Sequence, residues 1–481
     1  MKELDLGHEK IGTLIRRFSV PCVISMVVAA LYNIVDQIFI GWSPAGAYGN
    51  AATNIVYPFT VFALGIALLV GDGAAAQFSI ALGMGNKKKA DRIIGNGLIV
   101  LIVSTLVMCL IGFLFQPQIL ALFGGDPEEA ECYQYANDYY HIICMGIPCY
   151  MIGQGLNGAI RADGSPRYAM VCTLAGALAN LVLDPVFIFP LGLGVKGAAI
   201  ATVIGQVITF AMSVVYLGKA KNFRIARESV RLQASTVKNI IQTGMASLIV
   251  QLSIVVIIAV NNNLLTRYGY QTYASTGKAF GAVIPLAVVG IVMKVFGIVV
   301  SIVIGISLGG QPIIGYNIGS GNVQRVKETV QYITKLVIGV GVIAFLIFEL
   351  APDLVISLFG SHNTTEYMEY ARLCIRIFLG GIVLTCYIKS AAIILQAAGN
   401  SVKSTILALL RDVIIFVPTS IVIAAVSKSI VTMLWAAVIS DVIAAVAGFL
   451  FVSSEIHHLE KSAEKGTFTE ETICTYPRIH D

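Results

Sequence analysis

Charge is the scarcest property of this 481-residue chain: Asp, Glu, Lys and Arg together make up 12% of it. Ordinary soluble domains carry about 25%. Tryptophan occurs only twice. The nine cysteines include no Cys-x-x-Cys pair and no metal-type spacing. Most lie in apolar stretches, as Cys22, Cys109, Cys144, Cys149, Cys172 and Cys386 do, where cysteine behaves as a small hydrophobe. The net charge of +5 comes without a basic stripe interleaved with aromatics, so nucleic acid is not an expected partner. No nucleotide engine is legible. The nearest approach to a phosphate loop, Thr272–Ala279 (TYASTGKA), lacks the first glycine and the Ser/Thr after Lys278. No catalytic triad, HExxH or metal-ligand cluster is visible, so the chain is not expected to be an enzyme and no bound cofactor is expected.

What fills the chain is apolar residue, 57% of the total, with a mean hydropathy of +0.83. That composition defines a polytopic membrane protein. The opening MKELDLGHEKIGTLIRRFSV has no small-residue cleavage site, so no removed leader is expected. Twelve apolar segments are legible, over 14–41, 49–82, 93–115, 138–160, 167–190, 195–218, 238–265, 283–316, 328–350, 367–397, 402–426 and 430–453. Several exceed the ~20 residues a span needs, which implies tilt or helix continuing outside the bilayer.

Loop charge alternates along the chain. Lys87, Lys88, Lys89 and Arg92 lie between segments 2 and 3, and Arg161 and Arg167 between 4 and 5. Lys219, Lys221, Arg224, Arg227, Arg231 and Lys238 lie between 6 and 7, and Arg325 and Lys327 between 8 and 9. The opposite loops are poor in Lys and Arg, and the 3–4 loop carries Asp126, Glu128, Glu129 and Glu131. The positive-inside rule then places both termini in the cytoplasm. Asn363-Thr364-Thr365 is a glycosylation triplet on the outer side, read as chance.

The halves repeat. Leu122-Phe123-Gly124 recurs as Leu358-Phe359-Gly360, and Gly83-Met84-Gly85-Asn86 as Gly319-Ser320-Gly321-Asn322, both 236 residues on. Tyr135-Ala136 recurs as Tyr370-Ala371, and Ala162-Asp163-Gly164 as Ala397-Ala398-Gly399, both at 235. Six helices per half give both halves the same orientation, a plan common among secondary transporters. The expected fold is all-α: twelve transmembrane helices in two six-helix lobes related by a parallel internal repeat. Lobe one spans 1–218, lobe two 238–453, a cytoplasmic connector 219–237 and a polar cytoplasmic tail 454–481.

Asp36, in LYNIVDQIFIG (Leu31–Gly41), is the one charged side chain of an apolar run that begins near Phe18. An aspartate there costs about 2.5–3.5 kcal/mol on insertion scales, which makes it a functional candidate; the bland alternative is an Asp near a helix end that reaches the headgroups. Asn180 and Asp184, in ALANLVLDPVFIF (Ala177–Phe189), are four apart and share a helix face. Pro185 frees the Leu181 carbonyl on that side, and Thr202 adds a hydroxyl at similar depth in the next helix. Hard oxygen ligands suit a small hard cation such as sodium. Two carboxylates kept from water also suit a shared proton. The competing reading of Asn180 and Thr202 is plain interhelical bonding.

Weaker candidates are Asp72, which would meet a neighbouring Lys or Arg, and Arg411-Asp412, readable as a local pair. Lys294 either snorkels outward or faces an anionic group in a cavity. Asp441 and Glu349 read as structural or interfacial. Tyr32 lies one turn before Asp36, and Tyr139 is a further member of such a network or an interfacial aromatic. His457 and His458 have no legible role.

Together, Pro21, the LYNIVDQIFIG run, RADGSPR (Arg161–Arg167), NLVLDPVFIF (Asn180–Phe189), GVKGAAIATVIGQ (Gly194–Gln206) and QPIIGYNIGSGN (Gln311–Asn322) resemble the multidrug and toxic compound extrusion (MATE) family over roughly residues 10–455. The resemblance implies a V-shaped pair of six-helix bundles, and antiport of drugs, often organic cations, against protons or sodium. It implies a coupling site at Asp36, Asn180, Asp184 and Thr202 with Tyr32 and Tyr139 nearby, and a first-helix proline, Pro21, that bends with protonation state. No residues match the second-lobe acidic site of other branches. The expected partners are the lipid bilayer and small organic substrates, with the chain acting as a monomer in the cytoplasmic membrane. The alternatives are a flippase of a lipid-linked precursor, which favours fourteen helices and a strongly basic cavity, and a membrane-embedded enzyme.

Overall fold

The computed structural model describes residues 6–123, 130–269, 283–357 and 365–464. The TYASTGKA stretch, the Asn363-Thr364 part of the glycosylation triplet, Asp126, Glu128, Glu129, the Leu122–Gly124 and Leu358–Gly360 match beyond Phe123, and the tail after Glu464 lie outside the described residues.

Lobe one holds α1 (Ile11–Trp42), α2 (Gly46–Gly83), α3 (Lys87–Leu114), the short α4 (Gln116–Leu122), α5 (Ala130–Ala162), α6 (Pro166–Ile188) and α7 (Gly194–Leu217). Lobe two holds α8 (Ala234–Gly269), α9 (Val283–Gly319), α10 (Val323–Leu350), the short α11 (Pro352–Ser357), α12 (Thr365–Phe378) and α13 (Ile382–Ala397). It continues with α14 (Ser401–Leu409), a π-helical turn (Leu410–Ile415), α15 (Phe416–Ser427), α16 (Ile430–Met433) and α17 (Trp435–Glu464). Each of the twelve expected segments is a helix or a broken helix. Among the described residues ten stretches are long and apolar enough to cross a membrane, and α12–α13, bent by 48°, make an eleventh. α5, 33 residues long, is not among these because it is more polar, with Asp138, His141, Gln154, Asn157 and Arg161 along it; packed against α2 and α7, it is consistent with a twelfth.

The repeat is written in the turns. Gly85, Gly164, Gly321 and Gly399 all take positive φ, +71°, +79°, +74° and +81°. Glycine reaches that region without a Cβ penalty. At each one the next residue's N–H reaches back five residues: Asn86 to Ala81, Ser165 to Ile160, Asn322 to Asn317 and Asn400 to Leu395. The glycine's own N–H bonds three residues back. This is the Schellman closure of a helix end. Asn86 and Asn322 then cap the following helices, their side chains accepting from the Lys89 and Arg325 amides. Equivalent residues thus do equivalent jobs in both halves.

Helix extends into two of the expected linking segments. α17 runs into the expected tail as far as Glu464, and Glu460 pairs with Lys327 at 2.9 Å. The end of the connector is helix, since α8 starts at Ala234. The connector is clasped to lobe one by Asp163, whose carboxylate accepts from the Tyr216 hydroxyl (2.6 Å) and the Lys221 and Asn222 amides (2.8 and 2.7 Å).

The lobes meet through α1 on α9 and α2 on α8 and α9. Small residues let these backbones approach, as is usual between membrane helices. Gly305 and Gly309 of α9 press on Val23 and Ser19 of α1, Gly315 and Gly319 on Ser79 and Ile80 of α2, and Gly244 of α8 on Leu69. The seam lies toward the end that carries the described chain termini, where Arg325 holds the Leu6 and Glu9 carbonyls. Farther along α9, a Cβ at Gly297 or Gly290 would meet open space. The close backbone contacts between the lobes therefore lie on the terminal side.

Candidate functional site

Beyond that seam lies a cavity of about 290 Å³ between the lobes, walled by α1, α2, α5, α6 and α7 on one side and by α8, α9, α13, α14 and the π turn on the other. Its lobe-one wall includes Tyr32, Asn180 and Thr202. The Asn180 amide donates to Asp184 (3.1 Å) and lies 3.3 Å from the Thr202 hydroxyl. The one-turn spacing of Asn180 and Asp184 makes the first contact automatic on α6. Asp36 of α1 and Asp184 of α6 meet carboxyl to carboxyl. Tyr139 reaches Thr202, close to Asp36 and Tyr32. All six residues come together. Pro21 lies lower on α1, buried, its carbonyl accepting from Ser25 at 2.9 Å.

Three buried oxygens of this group have no hydrogen-bond donor: Asp36 Oδ1, Asn180 Oδ1 and Asp184 Oδ2. Two facing carboxyls bond each other only if one carries a proton, and unpaired buried acceptors are costly. The set can therefore accept a proton or a small cation. Among the described residues no three His, Cys, Asp or Glu side chains group as a metal-ion site.

The charged residues of the cavity were only partly legible. Arg161, read as a loop cation, is instead 6% exposed at the end of α5. It pairs with Asp72 at 3.3 Å and donates to Asn157 at 2.6 Å. Ser247 of α8 donates to the other Asp72 oxygen (3.0 Å) and accepts from Gln396 (3.0 Å), so this pair is tied across the lobes. Arg411 and Asp412 are more than a local pair. Arg411 Nη1 donates to Asp412 (2.8 Å), its Nε to Asp441 (2.9 Å), and Lys389 Nζ donates to Asp412 (2.6 Å). Lys294 is not among the residues lining the cavity. Lys389 was missed, although a lone lysine inside the apolar run CYIKSAAI is a signal of the same kind as Asp36. The cavity-facing charges are Arg161, Lys389 and Arg411 against Asp72, a more basic lining than the sequence implied.

Comparison with known proteins agrees with this architecture. A family profile, MatE, matches residues 21–186 and 258–422, one match per lobe. The chain belongs to this family, the multidrug and toxic compound extrusion transporters, and is a multi-pass membrane protein. It is 24% identical over 445 residues to the multidrug export protein MepA of Staphylococcus aureus strain MRSA252, covering 90% of this chain and 92% of that one. It is 23% identical over 436 residues to MepA of Staphylococcus saprophyticus, with the same coverage. Among solved structures, one described as the outward-facing conformation of a multidrug resistance MATE family transporter superposes with a TM-score of 0.87 at 22% identity, covering 96% of this chain and 99% of that one. A transporter from Pyrococcus furiosus superposes with a TM-score of 0.84 at 23% identity, with the same coverage. These likenesses establish the fold.

Proposed function

We propose that the chain is a cation-coupled antiporter that exports amphipathic organic compounds across the cytoplasmic membrane in exchange for protons or sodium. The observation that carries this reading is the contact of Asp36 with Asp184, bordered by three donor-less buried oxygens and opening on the inter-lobe cavity through Asn180 and Thr202. Export against a gradient requires that ion and compound bias two states in opposite directions. Here a proton or sodium ion offsets one negative charge of the α1–α6 carboxyl pair, relieves their mutual repulsion and tightens α1 on lobe one. That movement reshapes the cavity wall formed by Tyr32, and Pro21 gives α1 a point at which to bend. Loss of the ion loosens the same wall.

The export proteins to which the chain is similar support drug-like cargo, and the seam closed on the terminal side fits a resting state open to the exterior if the termini are cytoplasmic. The chain acts as a monomer, with no bound cofactor and no enzymatic step. The test is efflux of a panel of cationic dyes from proteoliposomes under imposed proton or sodium gradients. Dye movement that follows neither gradient overturns the proposal.

A further inference from the structure

Lobe two carries a cluster of four charged side chains, three of them buried and Lys389 partly so, that ion coupling in lobe one does not use. Lys389 of α13 and Arg411 of the π turn face the cavity; Asp412 and Asp441, each 1% exposed, do not line it and lie behind them. The cations thus form the wall and the carboxylates form its backing. The carboxylates keep both cations charged away from water, since a buried charge persists only when paired. They do not exhaust the donors. Arg411 has five N–H groups and gives Nε to Asp441 and Nη1 to Asp412. Lys389 has three and gives one to Asp412.

The backbone is shaped for this arrangement. Arg411 and Asp412 are sequence neighbours, which in a regular α-helix point about 100° apart. They sit in a six-residue π turn inside the span, and both side chains are buried in one cluster. Such turns concentrate at functional sites. The Arg411 guanidinium lies over the Phe296 ring, 5.7 Å from its centroid, and Phe378 stacks edge-on between Phe296 and Phe416. Gly381 leaves the room that Asp441 occupies, because a Cβ there would collide with its carboxylate.

We infer that Lys389 and Arg411 form an anion-binding subsite, so that the exported compounds include amphipathic molecules carrying a carboxylate. This rests on the export reading and specifies its cargo. A carboxylate in the cavity accepts from the free Lys389 and Arg411 donors, a charge-assisted geometry, while the aromatic or aliphatic body lies against Leu68, Val250, Ile304 and Leu407. The cavity, about 290 Å³, suits a compact compound rather than a lipid-linked precursor.

The test uses a matched pair: the zwitterionic dye rhodamine 19, with a free carboxylate, and its ethyl ester, rhodamine 6G. Binding to the purified full-length protein is read by fluorescence polarisation, and efflux from proteoliposomes is read in parallel. The wild type should bind the acid about tenfold more tightly than the ester. The charge-balanced double variant Lys389→Met with Asp412→Asn should lower that ratio at least about threefold, with Arg411 accounting for what remains, and Lys389→Arg alone should keep it above about threefold. Equal affinity of the wild type for acid and ester, or a double variant that keeps the wild-type ratio, would overturn the subsite and leave export standing. Gradient-driven efflux of neither dye would overturn the export reading and the subsite with it. If the double variant does not fold, the wild-type ratio and Lys389→Arg still decide the matter.

Discussion

Gly83 and Gly319, 236 residues apart in the repeat, make the same contact from opposite sides of the molecule. Gly83 of lobe one presses on the backbone carbonyl of Tyr316, and Gly319 of lobe two presses on that of Ile80. Ile80 and Tyr316 are themselves 236 apart. The two contacts close the terminal side of the seam as a pseudo-symmetric pair. A transporter that alternates access must break them.

A methyl group at either glycine would collide with a main-chain oxygen, which cannot swing away as a side chain can. Gly83→Ala and Gly319→Ala should each destabilise the closed seam by about 1–3 kcal/mol, the usual cost of overpacking. Spin labels placed on the terminal ends of α2 and α9 should show a longer mean distance in both variants. An unchanged distance distribution would show that the seam tolerates the added volume.

The lobe-one cluster was largely legible because its signals are local. A lone aspartate in an apolar run and an Asn/Asp pair one helical turn apart can be read from α1 and α6 separately. The repeat was legible because turns demand special residues, as Gly85 and Gly321 show. The lobe-two cluster was hidden because its members lie on three separate segments and Lys389 was not singled out. Without a lysine at hand, Asp412 looks like a partner for its sequence neighbour alone. Arg161 was misplaced because a basic residue at a helix end resembles a loop cation. Only the packing of α5 on α2 shows it turned inward to Asp72.

Asp72 and Arg161 form a buried pair, with side chains 8% and 7% exposed. Removing one partner leaves an uncompensated charge, at a cost of about 3–5 kcal/mol. Asp72→Asn should therefore lower the thermal midpoint of the purified protein well below that of wild type. Asp72→Asn combined with Arg161→Met should recover part of the loss. A double variant no more stable than the single would show that the pair does not act as a unit.

Asp163 holds the connector through one hydroxyl and two main-chain amides. Asp163→Ala removes those acceptors and should cost about 1–3 kcal/mol in unsatisfied donors. Local opening of the connector should follow, and limited trypsin digestion should cut faster at Lys219, Lys221, Arg224 and Arg227. A cleavage rate equal to that of wild type would mean that other contacts, such as Asn96 with the Gln233 amide (2.7 Å), are sufficient to hold it.

The account turns on the carboxyl of Asp36. Asp36→Asn keeps its shape and fixes it uncharged, so Asp36 no longer gains or loses a proton and only the single charge of Asp184 is left to the pair. Asp353→Asn, at an exposed pair with Arg372 in the other lobe, leaves that carboxyl pair and the cavity intact. The decisive measurement is dye efflux from proteoliposomes under an imposed proton gradient and, separately, a sodium gradient, with each variant's folding checked by size-exclusion chromatography. The account predicts that Asp36→Asn loses at least about tenfold in gradient-driven rate while remaining monodisperse, and that Asp353→Asn loses much less. Wild-type efflux by a well-folded Asp36→Asn protein under both gradients would contradict it.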